Sequence, residues 1–342
     1  MKEVTISDIA KKAGVAKSTV SRVINEKGYV KEATRVKIEK IMQELSYTPS
    51  ATARSLSMQK SSVVGVVFPE MDNPFFAKII QSINVVLSQN ELTVMLYFTA
   101  NKVEEDIKAL NTIRCQRVCG LIYTPAIEYE NEDKKDTIMQ ILSGIGTPVV
   151  LLDRTIPGTS YDGVYSNNFE GAYSATRALI AAGHTKIGIV LGDMTLSIGR
   201  DRYLGFKKAL EDNGVKFRNK YAIHGEFNTE ITYQETKKFL TGNDLPTAFF
   251  VSNNLSSKGF LKAVFENGLK IPEDLAYIGF DPVDGIEIFG LEYSCLDRNV
   301  EHMGTEAARL LMKRMANVYG KTEQITLTPV LRLRGSEKFI KK

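Results

Sequence analysis

Four polar stretches each close an apolar run, and their residue types suit the recognition of a small polar molecule. They read Pro69-Glu70-Met71-Asp72, Asp153-Arg154, Ser252-Asn253-Asn254 and Asp281. A carboxylate such as Asp72, Asp153 or Asp281 accepts hydrogen bonds from two neighbouring hydroxyls. A guanidinium such as Arg154 donates back, and the Asn253 amide can do either. Asp153 and Asp281 also have a plainer reading, in which each caps the turn after its strand. Carboxylates clustered at a cleft can cleave a glycoside, which keeps a carbohydrate-active enzyme as a remote alternative. The sequence carries no G-x-S-x-G elbow, H-E-x-x-H pair, P-loop or Rossmann glycine fingerprint. Its only histidines are His184, His224 and His302. Cys115 and Cys119 stand four apart without a neighbouring His or Cys to complete a zinc set, so two core thiols are expected. No metal or cofactor is expected.

A second kind of chemistry is concentrated near the N-terminus. Residues 1–60 hold 12 Lys/Arg and 6 Asp/Glu, a net of +6. The whole chain carries 44 and 40, so the remainder holds 32 and 34, a net of −2. A local basic excess of this kind suits a phosphate-binding face, although a solvated helical surface has the same composition. Three widely placed cysteines suit a reducing compartment. The polar N-terminus, MKEVTISDIA, has no signal-peptide core, and no apolar run is long enough for a membrane span. A cytoplasmic protein with no membrane partner is expected.

The elements that must position these groups are legible as a small helical head and a larger α/β body. In the head, Thr5 precedes a helical run, with Asp8 placed for a capping box. Ile6, Ile9, Ala10 and Ala13 share one face, and Gly14 supplies the left-handed stop. A second helix runs from about Lys17 to Ile24, with Val20, Val23 and Ile24 inward. A third runs from about Glu32 to Leu45, with Val36, Ile38, Ile41, Met42 and Leu45 as core candidates. Two short helices joined by a tight turn, then a brace, make a helix-turn-helix unit over 1–48. Residues 49–60 form a hinge helix or linker too short to be stable alone.

From residue 61 onward, strands at Val63–Phe68, Leu92–Phe98, Val118–Tyr123 and Pro148–Leu152 alternate with helices such as Pro74–Asn90. The scheme repeats after about Tyr161, with strands at Ile187–Leu191, Tyr221–His224, Thr247–Val251 and Leu275–Phe280. A helix lies at Asp201–Asn213. Such alternation implies parallel sheets, and its repetition implies two lobes. In open parallel sheets ligands bind beyond the carboxyl ends of the strands, which is where the four polar stretches fall.

Residues 5–25, TISDIAKKAGVAKSTVSRVIN, resemble the N-terminus of the lactose-repressor/galactose-repressor (LacI/GalR) family. So do residues 33–56, ATRVKIEKIMQELSYTPSATARSL, and, in family order, NPFF (73–76), LLDR (151–154), GH (183–184), RYLGF (202–206), PTA (246–248) and IPEDLAYIGFD (271–281). The resemblance spans nearly the whole chain. It implies a helix-turn-helix head, a hinge, and a type I periplasmic-binding-protein-like effector-binding and dimerisation body over 61–342. Lobe 1 is then about 61–161 and 293–325, and lobe 2 about 162–291 and 326–342, with crossovers near 161–163, 291–294 and 324–328.

By the same resemblance Lys17, Ser18 and Arg22 face base edges, where Arg pairs with guanine O6 and N7 and Ser reads either type of edge. Thr5, Ser21, Asn25 and Thr34 approach phosphates, which sets register. Ala53 and Leu56 belong to the DNA-binding hinge, with Leu56 as an apolar wedge in the minor groove. The family match adds Phe75, Phe76, Arg202, Phe227 and Arg298 to the effector set of Asp72, Asp153, Arg154, Asn253 and Asp281. The function implied is a cytoplasmic, homodimeric transcription repressor of a carbohydrate operon. It would bind a near-palindromic double-stranded operator under control of a sugar or sugar phosphate. A purine or a protein coregulator is the alternative effector. This chain departs from the family pattern with Ala16 and Lys31 where the family often has Ser, and with Ser166, Asn253-Asn254 and Arg298-Asn299. Three arginines suit an acidic or phosphorylated sugar, or could pair with Asp72, Asp153 and Asp281 around a neutral one; the neutral sugar is the preferred expectation.

Overall fold

The computed structural model describes residues 4–25, 28–47, 61–126 and 132–338. The chain divides into an N-terminal unit through Ser62 and a body from Val63 onward.

The described residues of the head form three helices, α1 (Ile6–Ala13), α2 (Lys17–Ile24) and α3 (Glu32–Glu44). At the start of α1 the Asp8 carboxylate accepts both the Thr5 backbone N–H (2.9 Å) and the Thr5 hydroxyl (2.7 Å). Gly14 takes the expected left-handed conformation (φ 68°) and returns its N–H to Ala10 and Lys11. Ile9, Ala10, Ala13, Val20, Val23, Ile38 and Ile41 form the core, with Ile6, Ile24, Met42 and Leu45 packed against it. Val36 is exposed, contrary to the sequence reading. It lies two residues before Ile38, about 200° around the helix, so both cannot face inward. Ala16 and Lys31 start α2 and α3 without a side-chain cap. Each start forgoes about 1 kcal/mol that a Ser cap would contribute.

The body contains two six-stranded sheets. The first has the order β11-β5-β4-β3-β1-β2. Its strands are β1 (Val63–Phe68), β2 (Thr93–Phe98), β3 (Gly120–Tyr123), β4 (Val149–Leu152), β5 (Asp162–Ser166) and β11 (Gln324–Leu327). The second has the order β12-β10-β9-β8-β6-β7. It comprises β6 (Ile187–Leu191), β7 (Ala222–His224), β8 (Ala248–Val251), β9 (Ala276–Phe280), β10 (Cys295–Asp297) and β12 (Val330–Arg332). All pairings are parallel except β10 with β12. Inner strands such as VVLL (β4) and AFFV (β8) are buried along their whole length. That is why they read as continuous apolar runs: helices cover both faces.

Around the first sheet pack α4 (Pro74–Ser88), α5 (Val103–Gln116), α6 (Glu132–Ile145) and α11 (Val300–Ala316). Around the second pack α7 (Asn168–Ala181), α8 (Ser197–Asp212), α9 (Thr229–Phe239) and α10 (Asn254–Glu266). Gly205 of α8 lets the helix backbone approach α7, since a Cβ there would sit 2.2 Å from the Phe169 carbonyl oxygen. Gly304 does the same for α11 against Ile79 of α4 (2.6 Å).

The sheets correct the sequence-based lobe borders. β5 pairs with β4 and β11, so the chain leaves the first lobe after Ser166 rather than near 161–163. It returns between β10 and α11, near 297–300, rather than near 291–294. It crosses last between β11 and β12, at 328–329. Cys115 is exposed and only half-buried Cys119 packs on the core, so the pair is not two core thiols. Among the described residues no His/Cys/Asp/Glu group could hold a metal, and no helix is long and apolar enough to cross a membrane.

His184 ties the start of the second lobe to the C-terminal segment. Its ring nitrogens lie 2.8 Å from Thr247 Oγ1 and 3.1 Å from the Glu337 carbonyl. Burial lowers its pKa below 6.5. The unfolded chain therefore binds more protons than the folded one between the lowered value and 6.5, and stability falls as pH drops through that window. Denaturant unfolding from pH 7 to pH 5 should show this slope, and His184→Gln should flatten it. An unchanged slope in the variant would count against this role.

Candidate functional site

Asp153 follows β4 and Asp281 follows β9, strands that hold the same place in their respective sheet orders. Both aspartates adopt left-handed backbone conformations, φ 63° and 71°. Asp tolerates this region better than most residues, and its cost is accepted where surrounding contacts demand it. What they grip in common is Arg298, at the crossover between β10 and α11. Arg298 Nε donates to Asp281 Oδ1 (2.6 Å) and Nη2 to Asp281 Oδ2 (2.7 Å). Its Nη1 donates to Asp153 Oδ1 at 3.0 Å. The guanidinium lies 3.7 Å from the Phe75 ring centroid. One buried cation thus joins a carboxylate of each lobe over an aromatic face. Burial pulls the Arg298 pKa down, but Asp281 and Asp153 outweigh it and the net shift is upward.

Arg202, from α8, is 1 % exposed. Its Nε donates to Asn168 Oδ1 (2.9 Å) and its Nη1 to the Ser252 carbonyl. The guanidinium lies 3.6 Å from the Phe280 centroid and 5.4 Å from that of Phe227. Burial first, then the neighbouring charge of Arg298, pushes its pKa down to about 9. Arg154 is buried and its Nη1 donates to Asn101 Oδ1 (2.7 Å) and to the Pro125 (2.9 Å) and Ala126 (2.5 Å) carbonyls. Burial is the main cause of its lowered pKa, partly offset by Asp153. Phe227 lies across the Gly192 backbone, where a Cβ would fall 2.2 Å from the ring. A side chain at Gly192 would displace that ring.

Not every candidate meets at this point. Phe76 is packed in the first lobe's core against Phe68 and Phe75. Asn253 caps α10, accepting from the Ser256 N–H at 2.7 Å. Asp72 is exposed, and none of the ion pairs among the described residues involves it. The expected pairing of three arginines with three aspartates therefore reduces to Arg298 with Asp153 and Asp281, and a looser contact of Arg154 with Asp153 at 4.0 Å. Asn254, the last residue of one of the polar stretches, and Asn73, Lys78, Asp284 and Asn168, which the sequence reading did not single out, complete the site. Asn254 Nδ2 donates across the lobes to Asn73 Oδ1 at 3.0 Å. Lys78 pairs with Asp284 at 2.8 Å, again lobe to lobe. Asn168 orients Arg202. A cavity of about 380 Å³ opens beside Arg298, lined among others by Phe75, Asn254, Asp281 and Arg332. Asn73 caps a helix start, next to a strand end as Asn254 is, a signal that could have marked it.

In the head, Lys17, Ser18 and Arg22 are exposed on α2, and Ser21, Asn25 and Thr34 are half-buried. Asn25 Nδ2 donates to Ser21 Oγ (3.2 Å), which fixes two of the expected phosphate contacts together. Thr5 is exposed. Ala53 and Leu56 lie outside the described residues.

Residues 5–50 match the bacterial regulatory proteins of the lacI family, and residues 176–336 match a periplasmic binding protein-like domain. The chain is 32% identical to the HTH-type transcriptional repressor PurR of Haemophilus influenzae (strain PittEE) over 340 residues, 98% of this chain and 99% of that one. The chain belongs to the lacI family. Solved structures extend the likeness to the fold of the whole chain. The lac repressor dimer bound to operator and the anti-inducer ONPF superposes with a TM-score of 0.86 at 24% identity, covering 99% and 100% of the two chains. The transcriptional regulator CelR–cellobiose complex superposes with a TM-score of 0.72 at 26% identity, covering 98% and 100%. This lacI-family protein is a DNA-binding transcriptional regulator with a helix-turn-helix head and a two-lobed α/β body.

Proposed function

We propose that this lacI-family protein represses a carbohydrate-utilisation operon, binding a near-palindromic operator as a homodimer and releasing or tightening its grip when a sugar or sugar phosphate occupies the cleft. The observation that carries the effector reading is the convergence of buried polar side chains from both lobes, Asp153, Arg154, Arg202, Asp281 and Arg298, at the strand ends. The CelR–cellobiose complex supports a sugar. A purine is the second reading, favoured by the full-length resemblance to repressors named PurR. Two half-sites follow from two heads. Effector and operator are then coupled reciprocally by about 1–3 kcal/mol, or 5–150-fold in affinity.

The test is to incubate the protein with fragmented genomic DNA of its source and sequence what it retains. An enriched palindrome beside sugar-uptake genes supports the carbohydrate reading; one beside nucleotide genes favours the purine. No enrichment, with or without candidate effectors, removes the operator assignment. On the enriched operator, Arg202→Ala should abolish the effector-induced change in affinity, measured by fluorescence anisotropy. A variant that still responds normally sinks the role given to Arg202. Leu56→Ala should weaken operator binding by tenfold or more, about 1.4 kcal/mol, and change effector affinity far less. Unchanged operator affinity would remove the wedge.

A further inference from the structure

The buried polar atoms around the cleft bear on the charge of its ligand. Thr124 and Ser252 follow β3 and β8, strands in equivalent places in the two sheets, and both hydroxyl oxygens are buried without a hydrogen-bond partner among the described residues. Two guanidinium nitrogens share that condition, Arg154 Nε beside the first sheet and Arg202 Nη2 beside the second. Hydroxyls donate or accept, but a guanidinium N–H can only donate, so a ligand that satisfies all four must be rich in acceptors.

The distribution of buried charge points the same way. Arg154, Arg202 and Arg298 are each at most 5 % exposed; the buried carboxylates at the strand ends are Asp153 and Asp281, and buried Asp106 nearby is engaged by the Tyr123 hydroxyl and the Ala126 N–H. Arg298 engages both. Arg154 is left with Asp153 Oδ2 at 4.0 Å, supplemented at longer range by Glu70, Asp106 and Asp193. Among the described residues Arg202 has no carboxylate within ion-pair distance. Its partners are a neutral amide, a carbonyl and two aromatic faces. A buried cation hydrogen-bonded only to neutral groups is costly; burial and then the charge of Arg298 depress the Arg202 pKa, and the more distant Asp281 and Asp153 offset this only in part. A neutral sugar would supply hydroxyls and leave Arg202 without an anion at ion-pair distance; an anionic ligand supplies one.

We propose that the cleft ligand is a small oxyanion, a phosphate monoester or a carboxylate, whose charged oxygens accept from Arg202 Nη2 of one lobe and Arg154 Nε of the other. Thr124 and Ser252 then meet its neutral polar part. This rests on the cleft being the effector site, and it replaces the neutral sugar favoured by sequence alone. Because the anion is shared between lobes, its binding favours the closed arrangement.

The full-length protein is tested by thermal shift and titration calorimetry at constant ionic strength against matched ligands. These are glucose, glucose 6-phosphate and gluconate; ribose and ribose 5-phosphate; inosine and inosine 5′-monophosphate; and inorganic phosphate against chloride. The expected result is that the anionic members of at least one set raise Tm and bind at least about tenfold tighter than their neutral partner. Glucose 6-phosphate against gluconate separates phosphate from carboxylate. Arg202→Met should remove the preference, as should Arg154→Met if the first variant folds poorly. Neutral members that stabilise as well as their anionic partners would overturn the anion while leaving the sensor intact, and so would a preference that survives both variants. If no ligand of either kind stabilises the protein, the sensor reading falls and the anion with it.

Discussion

Replacing Arg298 with alanine is expected to destabilise the body by about 3–5 kcal/mol, a fall in Tm of roughly 10 °C for a unit of this size. The side chain is 5 % exposed, and it provides the closest cationic partner of two buried carboxylates. Removing it leaves Asp153 and Asp281 buried, like-charged and short of donors, and a single uncompensated buried charge costs more than an intact pair contributes. The same physics predicts a rescue. Asp153→Asn and Asp281→Asn introduced with Arg298→Met remove the charges together, so the triple variant should recover most of the lost stability although it has lost every ion pair. Denaturant unfolding of the wild type, the single variant and the triple variant decides the matter. A single variant within about 2 °C of wild type would mean that water already reaches the two carboxylates and that Arg298 does not clamp the lobes. A triple variant as unstable as the single would mean that the loss comes from packing against Phe75 rather than from charge.

How much of this site was legible follows from what each residue depends on. Strands such as β1, β6 and β9 are buried on both faces and announce themselves as apolar runs. The polar residues after β4 and β9 were therefore identifiable as cleft residues. β5 (DGVYS), β10 (CLD), β11 (QITL) and β12 (VLR) are three to five residues long and mixed in character. Their pairing is set by tertiary contacts, and overlooking them displaced the lobe borders. Phe75 and Phe76 are adjacent and alike in sequence and both join the core; only the packing of α4 also lays Phe75, and not Phe76, under Arg298. Asn253 sits at a strand end that is also a helix start, and capping claims its side chain. The reach of Arg298 to both lobes depends on two left-handed aspartates in equivalent places, and no local pattern encodes that correspondence. The head was read almost completely, because its three helices are amphipathic and end at recognisable breaks. The exception, Val36, is an apolar residue in an exposed position of α3.

Operator affinity is expected to fall by about three to five orders of magnitude between 50 and 200 mM salt if the two heads together neutralise some 6–10 phosphates. The charge distribution is the reason. The first 60 residues carry a net +6 while the rest of the chain carries −2, so attraction to DNA is confined to the reading heads and released counterions drive it. Within that electrostatic background, individual side chains should separate by the kind of loss they cause. Arg22→Ala should cost about 1–3 kcal/mol on the preferred operator and relax discrimination at one base pair in each half-site, as expected for a guanidinium on a guanine edge. Thr34→Ala should weaken binding to all sequences alike, because a hydroxyl on a phosphate sets register without reading bases. Neither should change the slope of log affinity against log salt as much as removing a lysine that meets a phosphate, which lowers it by about one. Anisotropy titrations of the operator and its single-base variants at several salt concentrations measure all of these quantities. A shallow salt slope would contradict docking of basic heads on the phosphate backbone. Equal losses across all base variants for Arg22→Ala would move Arg22 from the base edges to the backbone.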